Sequence, residues 1–91
     1  RGGGETVVEA RTDAGALEGA LREIPEVEEI RVQSAGDGYV RATVWPRVDQ
    51  DLREAVAYKV HGHGWGLREL TRRIQSLEDV FVQLTTEDEE A

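Results

Sequence analysis

Hydrophobic residues along this chain switch between a two-residue period and a three-to-four-residue period, and the switches mark its elements. Val7-Val8-Glu9-Ala10, flanked by Glu5-Thr6 and Arg11-Thr12, predicts a first strand. Asp13 is placed to cap a helix whose Ala16, Leu17, Ala20, Leu21 and Ile24 form one apolar face. Pro25 stops that helix, because proline disfavours helical backbone in the residue before it. Val27, Ile30 and Val32 lead into a second strand, and Ala35-Gly36-Asp37-Gly38 is a hairpin signal. Tyr39 to Trp45, rich in β-branched and aromatic residues, is a third strand closed by Pro46. A second helix starts at Asp49 or Gln50, turns Leu52, Val56 and Val60 inward, and is broken by Gly62, Gly64 and Gly66. Leu67 to Ile74 reads as a short fourth strand, crowded by Arg72 and Arg73.

The order β-α-β-β-α-β is the split βαβ, ferredoxin-like arrangement of the α+β class. It implies a four-stranded antiparallel sheet with two helices on one face and the other face open. A last short helix follows. Ser76 is its cap, with Asp79 three residues on, close to a capping-box spacing. Leu77, Val80, Phe81 and Leu84 fall on one helical face, and Glu78 and Asp79 sit in the first turn, where the helix dipole favours negative charge. Under three turns long, such a helix does not persist alone in water. Its apolar face must rest on something: the open sheet face or an edge strand of its own domain, or a partner.

Composition narrows the picture. Ninety-one residues make one small domain, and an apolar fraction of 38% is low for a self-sufficient core. Residues 1–4 read as the end of a linker or an expression scar, residues 5–86 as the domain, and residues 87–91 as an acidic disordered tail. A chain that opens on Arg1 rather than Met is expected to be part of a longer protein. Net charge is −8, with four of the acids in Glu87-Asp88-Glu89-Glu90. That balance argues against nucleic acid and anionic membrane as partners, since both call for basic patches. With no cysteine, disulfides and thiolate metal sites are excluded. No apolar run reaches the ~18 residues of a membrane span.

Residues with chemical potential do not converge on a reaction. His61 and His63 supply two imidazoles where a tetrahedral metal site needs four ligands, and they fit a glycine-rich connector after a helix as well. Gly62-His63-Gly64-Trp65-Gly66 lacks the Gly-x-x-x-x-Gly-Lys-(Ser/Thr) order of a phosphate loop, and the single lysine, Lys59, precedes it. Ser34 and Ser76 have no base and orienting acid at a recognisable spacing. Carboxylate pairs such as Glu28-Glu29 or Asp51-Glu54 are ordinary on an acidic surface. An RNA-recognition sheet stacks bases on aromatics of its central strands. Here Tyr39 and Trp45 lie in the third strand and the first strand has none, so that reading is set aside. The expectation is therefore no catalytic residue, no metal and no cofactor within these residues.

The terminal run carries a family resemblance. Leu77-Glu78-Asp79-Val80-Phe81 resembles the Leu-(Asp/Glu)-(Asp/Glu)-Val-Phe motif near the C-terminus of ATP-binding subunits of ABC-type exporters. Gly64-Trp65-Gly66-Leu67-Arg68-Glu69-Leu70 resembles that family's Gly-Trp-x-Leu-x-Glu-Leu lead-in to its last strand. Pro25-Glu26-Val27-Glu28-Glu29-Ile30 resembles its Pro-Gly-Val-x-x-Val passage after the first helix, with Glu26 in place of the usual glycine. The likeness spans most of residues 5–86. It implies a C-terminal accessory domain of such a subunit, of the drug, lipid, polysaccharide or gliding-motility type. Its implied partners are its own ATPase domain and a membrane permease, with a homodimer as a further option. ATP and Mg would belong to the missing ATPase domain, and the setting would be cytoplasmic, beside the inner membrane. Leu77, Glu78, Asp79, Val80, Phe81 and Leu84 are the implied interaction residues. The alternative is an ACT-like small-molecule sensor, in which the turn Thr12-Asp13-Ala14-Gly15 would meet the ligand. A third option is a bare dimerisation module pairing through sheet edges or the open face.

Overall fold

In a computed structural model that describes residues 3–74, six elements follow in the order strand, helix, strand, strand, helix, strand. They are β1 (Gly4–Arg11), α1 (Ala14–Arg22), β2 (Val27–Gly36), β3 (Tyr39–Pro46), α2 (Arg53–Gly62) and β4 (Gly66–Ile74). The strands form one antiparallel sheet in the order β2-β3-β1-β4, the ferredoxin-like arrangement that the hydrophobic pattern predicts. The terminal helix expected from Leu77 onward lies outside the described residues.

Local chemistry explains most boundaries. Asp13 caps α1, its Oδ1 accepting the Ala16 N–H at 2.8 Å. The helix ends at Arg22 rather than at Ile24. Glu23 and Ile24 donate to carbonyls three residues back, the tightened last turn expected as the chain runs into Pro25. Asp37-Gly38 forms the two-residue turn between β2 and β3, with φ of 56° and 80°. Positive φ at both positions is the type I′ geometry that matches strand twist, and Asp-Gly tolerates it.

The second helix begins later than the sequence suggests, at Arg53 instead of Asp49 or Gln50. Asp49 is spent elsewhere: its Oδ1 accepts the Gly4 N–H at 3.1 Å and an Arg72 guanidinium N–H at 3.2 Å. Asp51 takes the capping role, accepting the Arg53 N–H at 3.0 Å. Leu52 occupies the N-cap position and contributes burial instead of a hydrogen bond. At the other end Gly64, with φ of 73°, follows the C-cap residue His63 and reverses the chain into β4.

The core lies between the sheet and the two helices. Val8 and Ala10 of β1, Val40, Ala42 and Val44 of β3, Leu17 and Leu21 of α1, and Val56 and Val60 of α2 are all buried there. Trp65 and Leu70 pack against its margin. Lys59 of α2 ties the helices together by donating to Glu23 Oε1 at 2.8 Å. That bond, foremost, lowers the Glu23 carboxyl below its ordinary pKa.

Candidate functional site

Strand alternation sends the other half of the side chains to the opposite, helix-free face. From β1 come Glu5, Val7, Glu9 and Arg11. The register pairs Val7, Glu9 and Arg11 with Thr43, Arg41 and Tyr39 of β3, and Trp45, Thr43 and Arg41 in turn with Glu29, Arg31 and Gln33 of β2. β4 adds Glu69, Thr71 and Arg73, and also Arg68. Simple alternation from the core-facing Leu70 would turn Arg68 toward the helices. A register shift between Glu9 and Ala10 pairs Glu9 with Glu69 and Ala10 with Leu67, so that Arg68 is the extra residue of a bulge. The bulge places Arg68 and Glu69 on the same face.

This face is organised around Glu9, which is only 6% exposed. Arg68 Nε donates to Glu9 Oε1 at 2.9 Å, and Arg41 Nε donates to Oε2 at 2.8 Å. Arg41 also reaches Glu69 at 3.3 Å. Both carboxylate oxygens are thus held by charge-assisted bonds, which is how an acid is kept on a crowded sheet face. The Arg68 bond first, and the Arg41 bond second, keep the Glu9 carboxyl below its ordinary pKa of 4.5. Arg68 goes further across the sheet: its guanidinium lies 4.0 Å from the Tyr39 ring centroid and donates to the Ala35 carbonyl of β2 at 3.3 Å.

Two arginines of the face meet rings rather than acids. Arg11 lies 5.3 Å from the Tyr39 centroid and Arg31 lies 5.5 Å from that of Trp45. Among the described residues neither forms an ion pair. Arg31 lines a depression of about 270 Å³ together with Val7, Thr43 and Trp45, and its charged lining also includes Glu5, Arg41 and Arg73. A larger groove, about 560 Å³, runs between α2 and β4 past Asp51, Arg53, Glu54, Ala57 and Leu70. Asp51 there is engaged with Arg53, whose side-chain bonds lower its pKa to about 2.

The residues with chemical potential fall apart from one another. His61 lies in the last turn of α2, and His63 stacks its ring on Trp65, with centroids 4.3 Å apart and planes 9° from parallel. Among the described residues no three His, Cys, Asp or Glu side chains gather as metal ligands do. Asp13, in the turn that an ACT-like sensor would use, is committed to capping α1. Tyr39 and Trp45 share the open face but stand at opposite ends of β3, about 20 Å apart along the strand. Each is approached by a guanidinium, so the two rings do not make adjacent stacking platforms. Leu77, Glu78, Asp79, Val80, Phe81 and Leu84 lie outside the described residues.

The arginines of this face were not visible in the overall charge, because Glu5, Glu9, Glu29 and Glu69 share the face with them and residues 75–91 carry six of the chain's 19 acids. The signal that could have found them is the alternation itself, since Arg31, Arg41 and Arg11 occupy the polar phase of their strands. A scan against protein-family models finds no match to the chain, and a search of curated proteins finds none. No helix among the described residues is long and apolar enough to cross a membrane.

Proposed function

We propose that this chain is a non-catalytic accessory domain of the ATP-binding subunit of an ABC-type exporter. Its role would be to support subunit dimerisation or to couple the ATPase domain to the membrane permease. The observation that carries this reading is the run Leu77-Glu78-Asp79-Val80-Phe81, set three residues after the last strand of a ferredoxin-like sheet. The two other passages that resemble the family support it by position. Gly64-Trp65 is the return from α2 into β4, with Trp65 against the core, and Pro25-Glu26 is the passage from α1 into β2. On this reading the domain is cytoplasmic, and ATP and Mg bind only in the ATPase domain. Leu77, Val80, Phe81 and Leu84 supply the apolar side of the contact, and Glu78 and Asp79 its charge.

The test is the DNA upstream of the Arg1 codon in the source genome. An in-frame Gly-x-x-x-x-Gly-Lys-(Ser/Thr) phosphate loop, with the remainder of an ABC ATPase between it and Arg1, is the expected result. A start codon close to Arg1, or an unrelated enzyme domain upstream, would overturn the reading.

A further inference from the structure

Among the described residues β2 and β4 are the two edges of the sheet, and the edges differ. β4 carries the bulge at Arg68 and is charged at Arg68, Glu69, Arg72 and Arg73. Bulges and charged side chains are the usual devices that keep an edge from pairing. β2 is ten residues long and has no proline. Its ladder to β3 is regular from Glu29 to Ser34, with shifts only at Val27/Glu29 and Ser34/Gly36. Ile30 and Val32 are half-buried at the margin of the core, and no described element lies beyond them. The outer side of this regular run is a row of backbone donors and acceptors next to an unfinished apolar margin.

The side chains of β2 select a partner strand and a register. In an antiparallel pair related by a two-fold axis, each contact occurs twice, and residues set opposite each other share a face. An axis at Ile30 therefore sets Glu29 of one copy opposite Arg31 of the other, and Arg31 opposite Glu29. Both pairs lie on the open face, where Arg31 stands 5.5 Å from the Trp45 ring centroid and has no ion pair within its own chain among the described residues. On the helix side Ile30 meets its own counterpart, and Val32 falls opposite Glu28 where the regular ladder ends. An axis at Arg31 or at Glu29 sets two like charges face to face. An axis at Val32 sets Arg31 opposite Gln33 and Glu29 opposite Ala35, so neither charge meets its opposite. Opposite charges directly across a strand pair stabilise it and like charges destabilise it, which favours the axis at Ile30.

We propose that the β2 edge is a self-association surface at which two copies of this chain pair their β2 strands antiparallel about Ile30, joining their sheets into one. The occupant is a second copy because the same strand supplies both the acid and the base, at positions that a two-fold axis brings together. This goes beyond the accessory-domain reading and does not need it. A chain that stays monomeric would leave the upstream-DNA test of that reading untouched.

Sedimentation equilibrium of the 91-residue chain from micromolar to millimolar concentration tests the proposal. The parent should be in reversible monomer–dimer exchange. Glu29→Arg and Arg31→Glu each turn both cross-strand pairs into like charges and should raise the dissociation constant by about tenfold or more. The double variant Glu29→Arg/Arg31→Glu should return it close to the parent value. Mixing the two single variants should also restore association, because every reversed charge then meets its opposite on the other chain. Far-UV circular dichroism checks that each variant is folded, and where a reversal unfolds the chain, Arg31→Gln should still weaken the dimer severalfold. A parent that is monomeric at millimolar concentration would overturn the proposal. So would a dimer that neither Arg31→Glu nor Arg31→Gln weakens, or one weakened by the single reversals that the double variant does not recover.

Discussion

Val7 and Val8 are neighbours in β1, both essentially buried at 1% and 0% exposure, yet they face opposite sides of the sheet. Truncating each to alanine separates the two kinds of burial. Two buried carbons are removed in either case, a loss of about 1.6 kcal/mol at ~0.8 kcal/mol per methylene. The change in strand propensity is common to both and cancels in the comparison. The surroundings differ. Val8 lies in the core cluster with Leu17, Leu21 and Val56, all fixed by helices. A void of ~40 Å³ left open there adds about 1 kcal/mol at ~24 cal/mol per Å³. Val7 is surrounded by Arg41, Thr43, Trp45 and Arg73, whose long stems can settle into the gap. Val8→Ala should therefore cost about 2.5 kcal/mol and Val7→Ala about 1.6 kcal/mol or less. Urea unfolding followed by circular dichroism, with a shared slope, gives both values directly. Thermal midpoints should differ by ~4–8 °C for each kcal/mol in a chain this size. A Val7→Ala loss equal to or above that of Val8→Ala would refute the reasoning, because it would make the open face as rigidly packed as the core.

Glu9→Gln should lower stability at neutral pH, and the gap to the parent should close on acidification. The sign follows from the depressed folded-state pKa: the charge contribution of Glu9 is complete above 4.5 and is lost as pH falls through the lower folded value. Comparing the two proteins at each pH isolates Glu9 from Glu23 and Asp51, which shift the same way, and a gap that stays constant into the acid range would contradict the role given to the Arg68 and Arg41 bonds. Asp13→Ala removes the side-chain cap of α1 and should cost ~1 kcal/mol in urea unfolding, whereas Asp13→Asn should be close to neutral; equal losses would show that the cap contributes nothing.

Much of the fold is legible in the sequence because single residues set it locally. Asp13 caps, Pro25 stops, Asp37-Gly38 turns, and the inward phase of β1, β3 and α1 is unbroken. What escapes the sequence depends on contacts between distant residues. Asp49 looks like a helix cap until Gly4 and Arg72 claim its carboxylate. Glu9 occupies a polar phase that reads as solvent-facing, and only the approach of Arg41 and Arg68 makes it a buried acid. Arg68 falls in the core phase of β4, which lowers the apparent quality of that strand. The bulge that rescues it is a property of the pairing with β1, which a single strand cannot display. For the candidate face, the arginines are countable in the sequence, but their convergence requires the order β2-β3-β1-β4.

The pairing of Gly4 with Ile74 also has a mechanical meaning. β1 and β4 run antiparallel, and the chain enters one and leaves the other at the same end of the sheet. Tension applied between residue 3 and residue 75 would pull these neighbours apart sideways and load their hydrogen bonds one after another, as in a zipper, instead of shearing them together. Asp49 stands where such peeling would start, gripping Gly4 of one strand and Arg72 of the other. Gly4 is suited to the position, since a Cβ there would come within 3.1 Å of the Arg72 guanidinium. Peeling of β4 would thus begin at the Gly4 and Ile74 end, where the Asp49 carboxylate adds two bonds to those of the strand ladder.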